Sequence, residues 1–376
     1  MRIQTQFLVV IFSLILIVGM NVVMVSETVS ENIVKQEIYN QLESTAQSRA
    51  NHIESFLELE KTTVQQLSQS IVIQKLLLTA KNDEEYAKAF NDVEKRLKSR
   101  VEIGKHTYGV FVLDKKGVII ASDEEADIGK DKSNDPYFLG GRQGVFAKDV
   151  YTSGTEGIDS LAFSAPIVDD NNEFLGVVVM AVFVEALDEI TADTTGLGET
   201  EEIYIVNRDG YMITPSRFVT DTLLKQKVDT ENTRKCFADL ERFGAREHEP
   251  EAISFKSYRG TDVIGVHVPV PEMEWCLLAE MSEEEAFAPL AKLTKTMLSL
   301  LALLSILISR TITKPIVKLH HGTEEIEKGN LDYKVGTDAR DEIGQLSRSF
   351  DSMTANLKKS RDELEEYSKG LESWRT

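Results

Sequence analysis

DEIGQLSRSFDSM, residues 341–353, is the stretch that decides the fold of the C-terminal part of this chain. Its apolar residues are spaced alternately three and four apart, and the spacing continues towards the C-terminus. The series contains Ile343, Leu346, Phe350, Met353, Leu357, the polar Ser360, Leu364, Tyr367 and Leu371. A helix with such a seam needs a partner helix, so the pattern predicts a parallel homodimer over residues 310–371.

A shorter heptad series lies upstream of this seam. It follows Pro315 and contains Ile316, Leu319, Thr323 and Ile326. The segment GNLDYKVGTDAR, residues 329–340, separates the two series, and its glycines interrupt a helix. Two short parallel helices joined by an extended connector are therefore expected.

Three pieces of this region, in order along the chain, resemble a HAMP domain: TITKPIVKL at 311–319, GNL at 329–331 and DEIGQL at 341–346. The resemblance implies a dimeric, parallel four-helix coiled coil that relays signals in membrane receptors. It also implies that Pro315 begins the first helix and Glu342 the second. We assign residues 310–360 to this domain and residues 361–376 to a coiled-coil tail.

Composition excludes some classes of partner. Acidic residues outnumber basic residues 62 to 42, and the net charge of −20 argues against nucleic acid, because phosphate binding requires a basic surface. The two cysteines, Cys236 and Cys276, do not have metal-ligand spacing. Outside the cytoplasm they form either a disulfide or two buried thiols.

Two apolar stretches are long enough to cross a membrane. Residues 7–25 are 19 residues without a charge, which we interpret as an uncleaved anchor rather than a signal peptide. The second span is placed at 290–309, where two lysines extend a shorter charge-free core. The flanking basic residues put residues 1–6 and the C-terminal part in the cytoplasm and residues 27–289 outside the cell membrane.

The external region contains an internal repeat. VFVLDKKGVIIAS (110–122) aligns without a gap to IYIVNRDGYMITP (203–215). Each copy predicts a β-hairpin whose glycine, Gly117 or Gly210, takes a positive φ. Each copy later ends in two apolar strands around a polar connection. The repeat therefore predicts two similar antiparallel-sheet modules in tandem.

The modules are predicted at 101–193 and 194–285, which makes the fold class α+β. Residues 27–100 contain neither Gly nor Pro and carry an apolar helical stripe, so one long helix is expected there. A long helix, two PAS-like sheets and a return to the membrane resemble the double Cache sensor domain of microbial receptors over about residues 30–285. This resemblance implies extracellular binding of a small molecule.

The ligand is expected in the membrane-distal module. The residues expected to bind it are Asp131, Asp135, Tyr137, Phe138 and Tyr151, from DKSNDPYF and DVYTS. The alternative for the three aromatic residues is an ordinary place in the core. The resemblance to amino-acid-sensing double Cache domains implies an Arg and an Asp that hold the ligand, but this chain has Asp135 and Ala181 at those positions. A carboxylate at position 135 repels an amino-acid carboxylate, so the expected ligand is a cation or amine rather than a common α-amino acid.

Other conspicuous residues are expected to be structural. His320 and His321 lie inside the first HAMP-like helix without the acidic residue and proline of a phosphoacceptor. The run DEEAD (123–127) lies just after the first hairpin and is typical of a solvated loop, with attraction of calcium or an amine as the alternative. His248 and His267 each lack a second histidine at zinc spacing. The sequence contains no nucleotide-binding, zinc-protease or serine-hydrolase motif, so neither an enzyme activity nor a cofactor nor a metal is expected.

The sequence thus favours a membrane receptor that relays ligand binding through a HAMP-like dimer to a cytoplasmic kinase or chemotaxis component. An alternative is the truncated or split sensor half of a histidine kinase or methyl-accepting chemoreceptor. A third hypothesis, an externally acting hydrolase held by two spans, lacks a catalytic constellation.

Overall fold

A computed structural model of the chain describes residues 3–81, 83–154, 157–193, 197–243 and 253–373. The predicted cytoplasmic start and the predicted tail therefore lie partly outside the described residues, as does His248. The chain forms two compact units, one of residues Asn32–Phe287 and one in which the residues before Asn32 join Ala288–Thr376.

The secondary structure is mixed. The helices are α1 (Ile3–Ser68), α2 (Ile71–Leu78), α3 (Glu84–Ile103), α4 (Pro136–Gly141), α5 (Glu185–Thr191), α6 (Glu231–Phe243), α7 (Glu283–Ile308), α8 (Lys314–Glu327) and α9 (Glu342–Ser373). The strands are β1 (Thr107–Asp114), β2 (Ile119–Ser122), β3 (Phe146–Thr152), β4 (Asp159–Val168), β5 (Phe174–Phe183), β6 (Glu202–Val206), β7 (Ile253–Lys256), β8 (Asp262–Val270) and β9 (Trp275–Ser282).

The single helix predicted over 27–100 is wrong in detail, because the chain breaks into α1, α2 and α3 there. Ser70 has an extended backbone with ψ 117°, and Asp83 caps α3 by accepting a hydrogen bond from Glu85 N at 3.0 Å. The breaks turn α2 and α3 back onto the first sheet, where they bury apolar side chains such as Leu76 and Val93. A straight helix carries these side chains away from the sheet.

Two antiparallel sheets follow the helices. The first has the strand order β2-β1-β5-β4-β3 and the second the order β6-β9-β8-β7. The turn glycines Gly117 and Gly210 both have φ of +85°, as the hairpin pattern predicts. The shared core lies on one face of each sheet, packed against α1, α2 and α3, while the opposite faces carry separate small apolar clusters.

The β1–β5 pair of the first sheet and the β6–β9 pair of the second sheet have corresponding registers. In the first sheet Phe111 on β1 lies opposite Val179 on β5, and in the second sheet Tyr204 on β6 lies opposite Leu278 on β9. Since Tyr204 aligns with Phe111 in the sequence repeat, the repeat extends to the pairing of strands that are distant in sequence.

Cys236 and Cys276 form a disulfide that joins α6 to β9. Both residues are fully buried. The sequence left open whether the two cysteines form a disulfide or remain buried thiols, and the structure has the disulfide.

In the other unit, α7 runs into α8 through a π-helical turn at Ser309–Thr313. Among the described residues, one helix is long and apolar enough to cross a membrane, and it is this continuous helix, Glu283–Glu327. Pro315 lies in the first turn of α8, at the entry to this helix.

The second relay helix, α9, begins at Glu342, and Asp341 caps it by accepting a hydrogen bond from Gly344 N at 2.8 Å. The connector folds back between the helices, where Val335 is buried beside Gly322 and donates its N–H to Asp351 at 2.8 Å.

Most residues of the predicted seam of α9 do not pack against other parts of the same chain. The exposed fractions of Leu346, Met353 and Leu357 are 59%, 50% and 48%, whereas Ser347 and Thr354 on the neighbouring face are buried. Ile343 and Phe350 are half-buried, and the side chain of Leu371 lies outside the described residues.

Candidate ligand-binding site

A cavity of about 310 Å³ lies on the first sheet, on the face opposite the long helix. Its floor includes Gly109 on β1 and Ala181 on β5, which lie opposite each other in the ladder. Because neither residue has a large side chain, the centre of the sheet is left uncovered. The walls come from β3, from α4 and from the segment that follows β2.

An irregularity in β3 shapes one wall. The register between β3 and β4 shifts between Lys148 and Tyr151, where the ladder has one residue more on β3. Such a bulge breaks the alternation of side chains along a strand. As a result Lys148 and Tyr151 both line the cavity although they are three positions apart.

Lys148 occupies the centre of a group that we call the lysine cage, formed by Asp135, Tyr137 and Tyr151 around it. Its ammonium Nζ lies 2.9 Å from Asp135 Oδ1, 3.6 Å from the ring centroid of Tyr151 and 5.0 Å from that of Tyr137. The Asp135 carboxylate also caps α4, accepting a hydrogen bond from Tyr137 N at 3.4 Å. Burial raises the pKa values of Tyr137 and Tyr151, so both hydroxyls stay protonated.

The opposite wall is acidic. Asp123, Glu124 and Asp127 line it, and Lys132 adds a cation at the rim. Asp127 is paired with Lys130, while Asp123 accepts a hydrogen bond from Val110 N at 2.7 Å. Burial raises the pKa of Asp123, and this hydrogen bond opposes the rise. Four carboxylates and two ammonium groups line the cavity, which gives the lining a formal charge of −2.

The structure brings together three of the residues predicted to bind ligand, namely Asp135, Tyr137 and Tyr151. Asp131 and Phe138 do not line the cavity. The Asp131 carboxylate accepts a hydrogen bond from Ser133 N at 2.9 Å, and this bond lowers its pKa. Phe138 is 2% exposed and packs in the small apolar cluster beneath the cavity.

Sequence reasoning missed Lys148, Asp123 and Lys132. Lys148 lies in the quoted region, one residue before DVYTS, but nothing in its local sequence indicates that a bulge turns it into the cavity. DEEAD was interpreted as a solvated loop, with attraction of calcium or an amine as the alternative, and its first residue and its last both line the cavity. The signal available from the sequence was the position of this run directly after the first hairpin.

The residue beside Lys148 connects the two modules. Asp149 Oδ1 accepts a hydrogen bond from Trp275 Nε1 at 2.8 Å, and its Oδ2 accepts one from Asn207 Nδ2 at 3.2 Å. Trp275 is the first residue of β9, and β9 is followed directly by α7. A chain of direct contacts and covalent bonds thus runs from the cavity wall to the helix that leaves the second sheet.

Comparison with known families matches this architecture. The Cache domain model matches residues 30–290, and the HAMP domain model matches residues 307–359. The two resemblances drawn from the sequence are therefore confirmed. Both are non-catalytic sensor and relay domains.

Curated relatives include the sensor histidine kinase WalK of Bacillus subtilis strain 168, which is 27% identical over 183 residues, covering 47% of this chain and 30% of that protein. Sensor protein kinase WalK of Staphylococcus haemolyticus is 22% identical over 190 residues, covering 46% of this chain and 30% of that protein. The match thus spans less than a third of the length of these relatives.

Solved structures share the fold. The sensor domain of the V. cholerae histidine kinase DctB superposes with a TM-score of 0.51 at 15% identity, covering 66% of this chain and 98% of that one. The ligand-binding domain of the Campylobacter jejuni chemoreceptor Tlp3, solved with 4-methylisoleucine, superposes with a TM-score of 0.52 at 14% identity, covering 67% of this chain and 94% of that one.

Proposed function

Since this chain belongs to the Cache domain family and carries a HAMP domain after its sensor region, we propose that it is a transmembrane signal-transduction receptor. A small extracellular ligand binds in the cavity of the first sheet, and the HAMP domain relays the resulting change to a cytoplasmic partner. The observation that carries this proposal is the cavity itself, of about 310 Å³, whose wall strand β3 is hydrogen-bonded to the start of β9.

The ligand we propose is a small amine or organic cation. The lining of the cavity has a formal charge of −2, so it attracts a cation. The ammonium of Lys148 is already paired with Asp135 and covered by the ring of Tyr151, which leaves it poorly placed to clamp a carboxylate. Asp123 and Glu124, on the opposite wall, are the groups that would receive the ammonium of the ligand.

This assignment changes the role of the aromatic residues. The sequence suggested that Tyr137 and Tyr151 would hold a cation supplied by the ligand. Their ring faces instead lie against the chain's own Lys148. In the proposal the lysine cage therefore forms the wall that contacts the body of the ligand, and the ligand amine lies nearer the acidic wall.

Signal transfer follows the contacts of β3. Ligand contact with Tyr151 or the lysine cage displaces β3, and Asp149 transmits the displacement to Trp275. Trp275 is the first residue of β9, and β9 is followed directly by the continuous helix Glu283–Glu327. The proposal requires two arrangements of the chain that differ in the position of β3. A ligand shifts the equilibrium between them only by its differential affinity for the two.

We further propose that the chain crosses the membrane twice, at 7–25 and 290–309, with the Cache region outside. A Cβ at Gly19 would lie 2.9 Å from Leu301 Cδ2, so the two helices approach closely at a glycine. Small residues at such contacts are typical of helix pairs in membranes. The partner is a histidine kinase or a chemotaxis component, carried either by another protein or by a longer form of this one.

The test is ligand binding to the full-length protein in lipid nanodiscs. Putrescine, L-alanine, acetate and succinate serve as probes, and the melting temperature of the external unit is the readout, because a ligand that binds only the folded state raises it. We expect putrescine to raise the melting temperature in a saturable way and the other three to leave it unchanged.

Variants locate the site. Asp123→Asn and Glu124→Gln should weaken the putrescine effect, whereas Asp170→Asn, at an exposed position in the turn after β4, should not. Stabilisation by succinate or L-alanine that disappears in Lys148→Met would contradict the proposed ligand class, since it would mean that Lys148 leaves Asp135 to bind a carboxylate.

A further inference from the structure

The second sheet has its own counterpart of the cavity floor. In the first sheet, Gly109 and Ala181 lie opposite each other and leave the floor open. The matching pair in the second sheet is Glu202 on β6 and Glu280 on β9, which lie opposite each other in the same register. Both glutamates are 1% exposed. Two carboxyl groups thus take the place of open space.

Glu202 is surrounded by donors that favour its ionised form. Its carboxylate accepts hydrogen bonds from Ser216 Oγ at 2.5 Å, from Arg217 N at 2.9 Å and from Tyr258 Oη at 2.9 Å. Arg259 Nε lies 3.7 Å from the second oxygen. Hydrogen bonds and a nearby cation stabilise a carboxylate, so Glu202 carries the negative charge of the pair.

Glu280 has the opposite environment. One of its oxygens, Oε1, accepts a hydrogen bond from Tyr204 Oη at 2.6 Å. Its other oxygen, Oε2, is buried and has no hydrogen-bond partner among the described residues. A buried charged oxygen without a partner costs far more free energy than a neutral, protonated one. Burial raises the pKa of Glu280 to about 7, the charge of Glu202 adds to the rise, and Tyr204 and Arg259 oppose it.

We propose that the paired carboxyl groups of Glu202 and Glu280 form a proton-binding site in the second module, with the proton taken up at Glu280. The ligand class of this site is the proton, so the receptor has a second, chemically different input that goes beyond the small-molecule site. Loss of the proton places two negative charges opposite each other on β6 and β9. The resulting repulsion acts on β9, three residues before α7 begins at Glu283.

The charged and titratable groups around Glu280 come from several elements. Glu202 and Tyr204 face it from β6, and Tyr258 and Arg259 come from the turn after β7. His267 lies two residues along β8 from Gly265, the residue that pairs with Glu280. His267 Nε2 lies 2.9 Å from Asp239 Oδ2. Of these groups, Glu202 is the one whose charge adds to the raised pKa of Glu280.

Infrared spectroscopy of the full-length protein in lipid nanodiscs tests this site, because the C=O stretch of a protonated carboxyl is separate from that of a carboxylate. We expect a protonated carboxyl band that disappears between about pH 5 and about pH 9 with a midpoint near the value of about 7 given above. The band should be absent from Glu280→Gln and unchanged in Glu274→Gln, an exposed glutamate just before β9.

Two further variants shift the midpoint in opposite directions. Glu202→Gln removes the neighbouring negative charge and should lower the midpoint, while Tyr204→Phe removes the donor that stabilises the carboxylate and should raise it. A band that persists in Glu280→Gln, a midpoint below about pH 5, or shifts in the same direction for both variants would overturn the proposal. The readout involves no ligand, so it is independent of whether the small-molecule cavity binds amines.

Discussion

Asp149 Oδ1 accepts a hydrogen bond from Trp275 Nε1 at 2.8 Å, which links the edge strand of the first sheet to the first residue of β9. Trp275 is fully buried. Burial raises the pKa of Asp149, and the hydrogen bonds from Val150, Trp275 and Asn207 oppose this rise. The neighbouring Lys148 lines the cavity. One pair of residues thus joins the cavity wall to the strand that leads into α7.

A double-mutant cycle measures this pair. Asp149→Ala should lower the free energy of unfolding by about 1–3 kcal/mol, because it leaves the buried indole N–H of Trp275 unsatisfied. The double variant Asp149→Ala, Trp275→Phe should lose less free energy of unfolding than the two single variants lose together. The difference, which is the coupling energy, should be at least about 0.5 kcal/mol. Chemical denaturation of the external unit is the measurement. Asp170→Ala, at an exposed position, is the control and should stay within about 0.5 kcal/mol. Strict additivity would show that the bond carries no energy.

The disulfide should contribute substantially to the stability of the second module. Cys236 and Cys276 are 40 residues apart, and closing a loop of that length in the unfolded chain corresponds to about 4 kcal/mol. Reduction, or replacement of both cysteines by serine, should therefore lower the melting temperature of the second module. The serine variant should show no further response to reductant, whereas an equal response in both proteins would mean that the thiols are not paired.

Stability should fall at acid pH through Glu285. Its carboxylate accepts hydrogen bonds from Glu199 N at 2.8 Å and Thr200 N at 2.7 Å. Partial burial opposes ionisation, but the hydrogen bond from the Thr200 hydroxyl, together with these backbone bonds, outweighs it and lowers the pKa below the ordinary value of 4.5. A lowered pKa in the folded state gives stability that is present above about pH 4.5 and is lost as pH falls through the folded-state pKa.

Melting curves of the wild type at descending pH should show this loss, and Glu285→Gln should flatten it. Glu284→Gln, the exposed neighbour, should leave it intact. Glu280 acts with the opposite sign, because its raised pKa gives stability that is lost as pH rises towards about 7. If Glu285→Gln loses as much melting temperature at acid pH as the wild type, another group causes the loss.

The exposed seam of α9 should be covered by a second copy of the chain. Leu346, Met353 and Leu364 are 59%, 50% and 70% exposed, although they are apolar and regularly spaced. Single cysteines at these positions should cross-link in native membranes more readily than cysteines at the exposed neighbours Gln345 and Ser352. The native cysteines are already paired and do not compete. Equal efficiency at seam and neighbour positions would disprove the predicted dimer.

Protease protection tests the proposed topology. In sealed cells an external protease should cut within residues 32–287 and spare the region after 310, including Arg361. Permeabilised cells provide the control, because both regions should then be cut. Cleavage after Arg361 in sealed cells would place the HAMP domain outside and reverse the predicted orientation.

Features of the fold that depend on neighbouring residues were predictable from the sequence. Gly117 and Gly210 take positive φ because the tight turns of their hairpins require it, and Asp341 places the start of α9 at Glu342. The breaks at Ser70 and Asp83 were not predictable from the absence of Gly and Pro. They arise because α2 and α3 bury apolar side chains against a sheet formed by later residues.

The same division holds for the candidate site. The sequence by itself determined the family, the repeat and three residues of the cavity, Asp135, Tyr137 and Tyr151, since these follow from local pattern and resemblance. Only the tertiary structure decided that a bulge turns Lys148 between them and that Glu202 faces Glu280. Register and bulges are set by pairing between strands distant in the chain. A charge brought close in this way changes the pKa of its neighbour, as Glu202 does for Glu280, without leaving a local sequence signal.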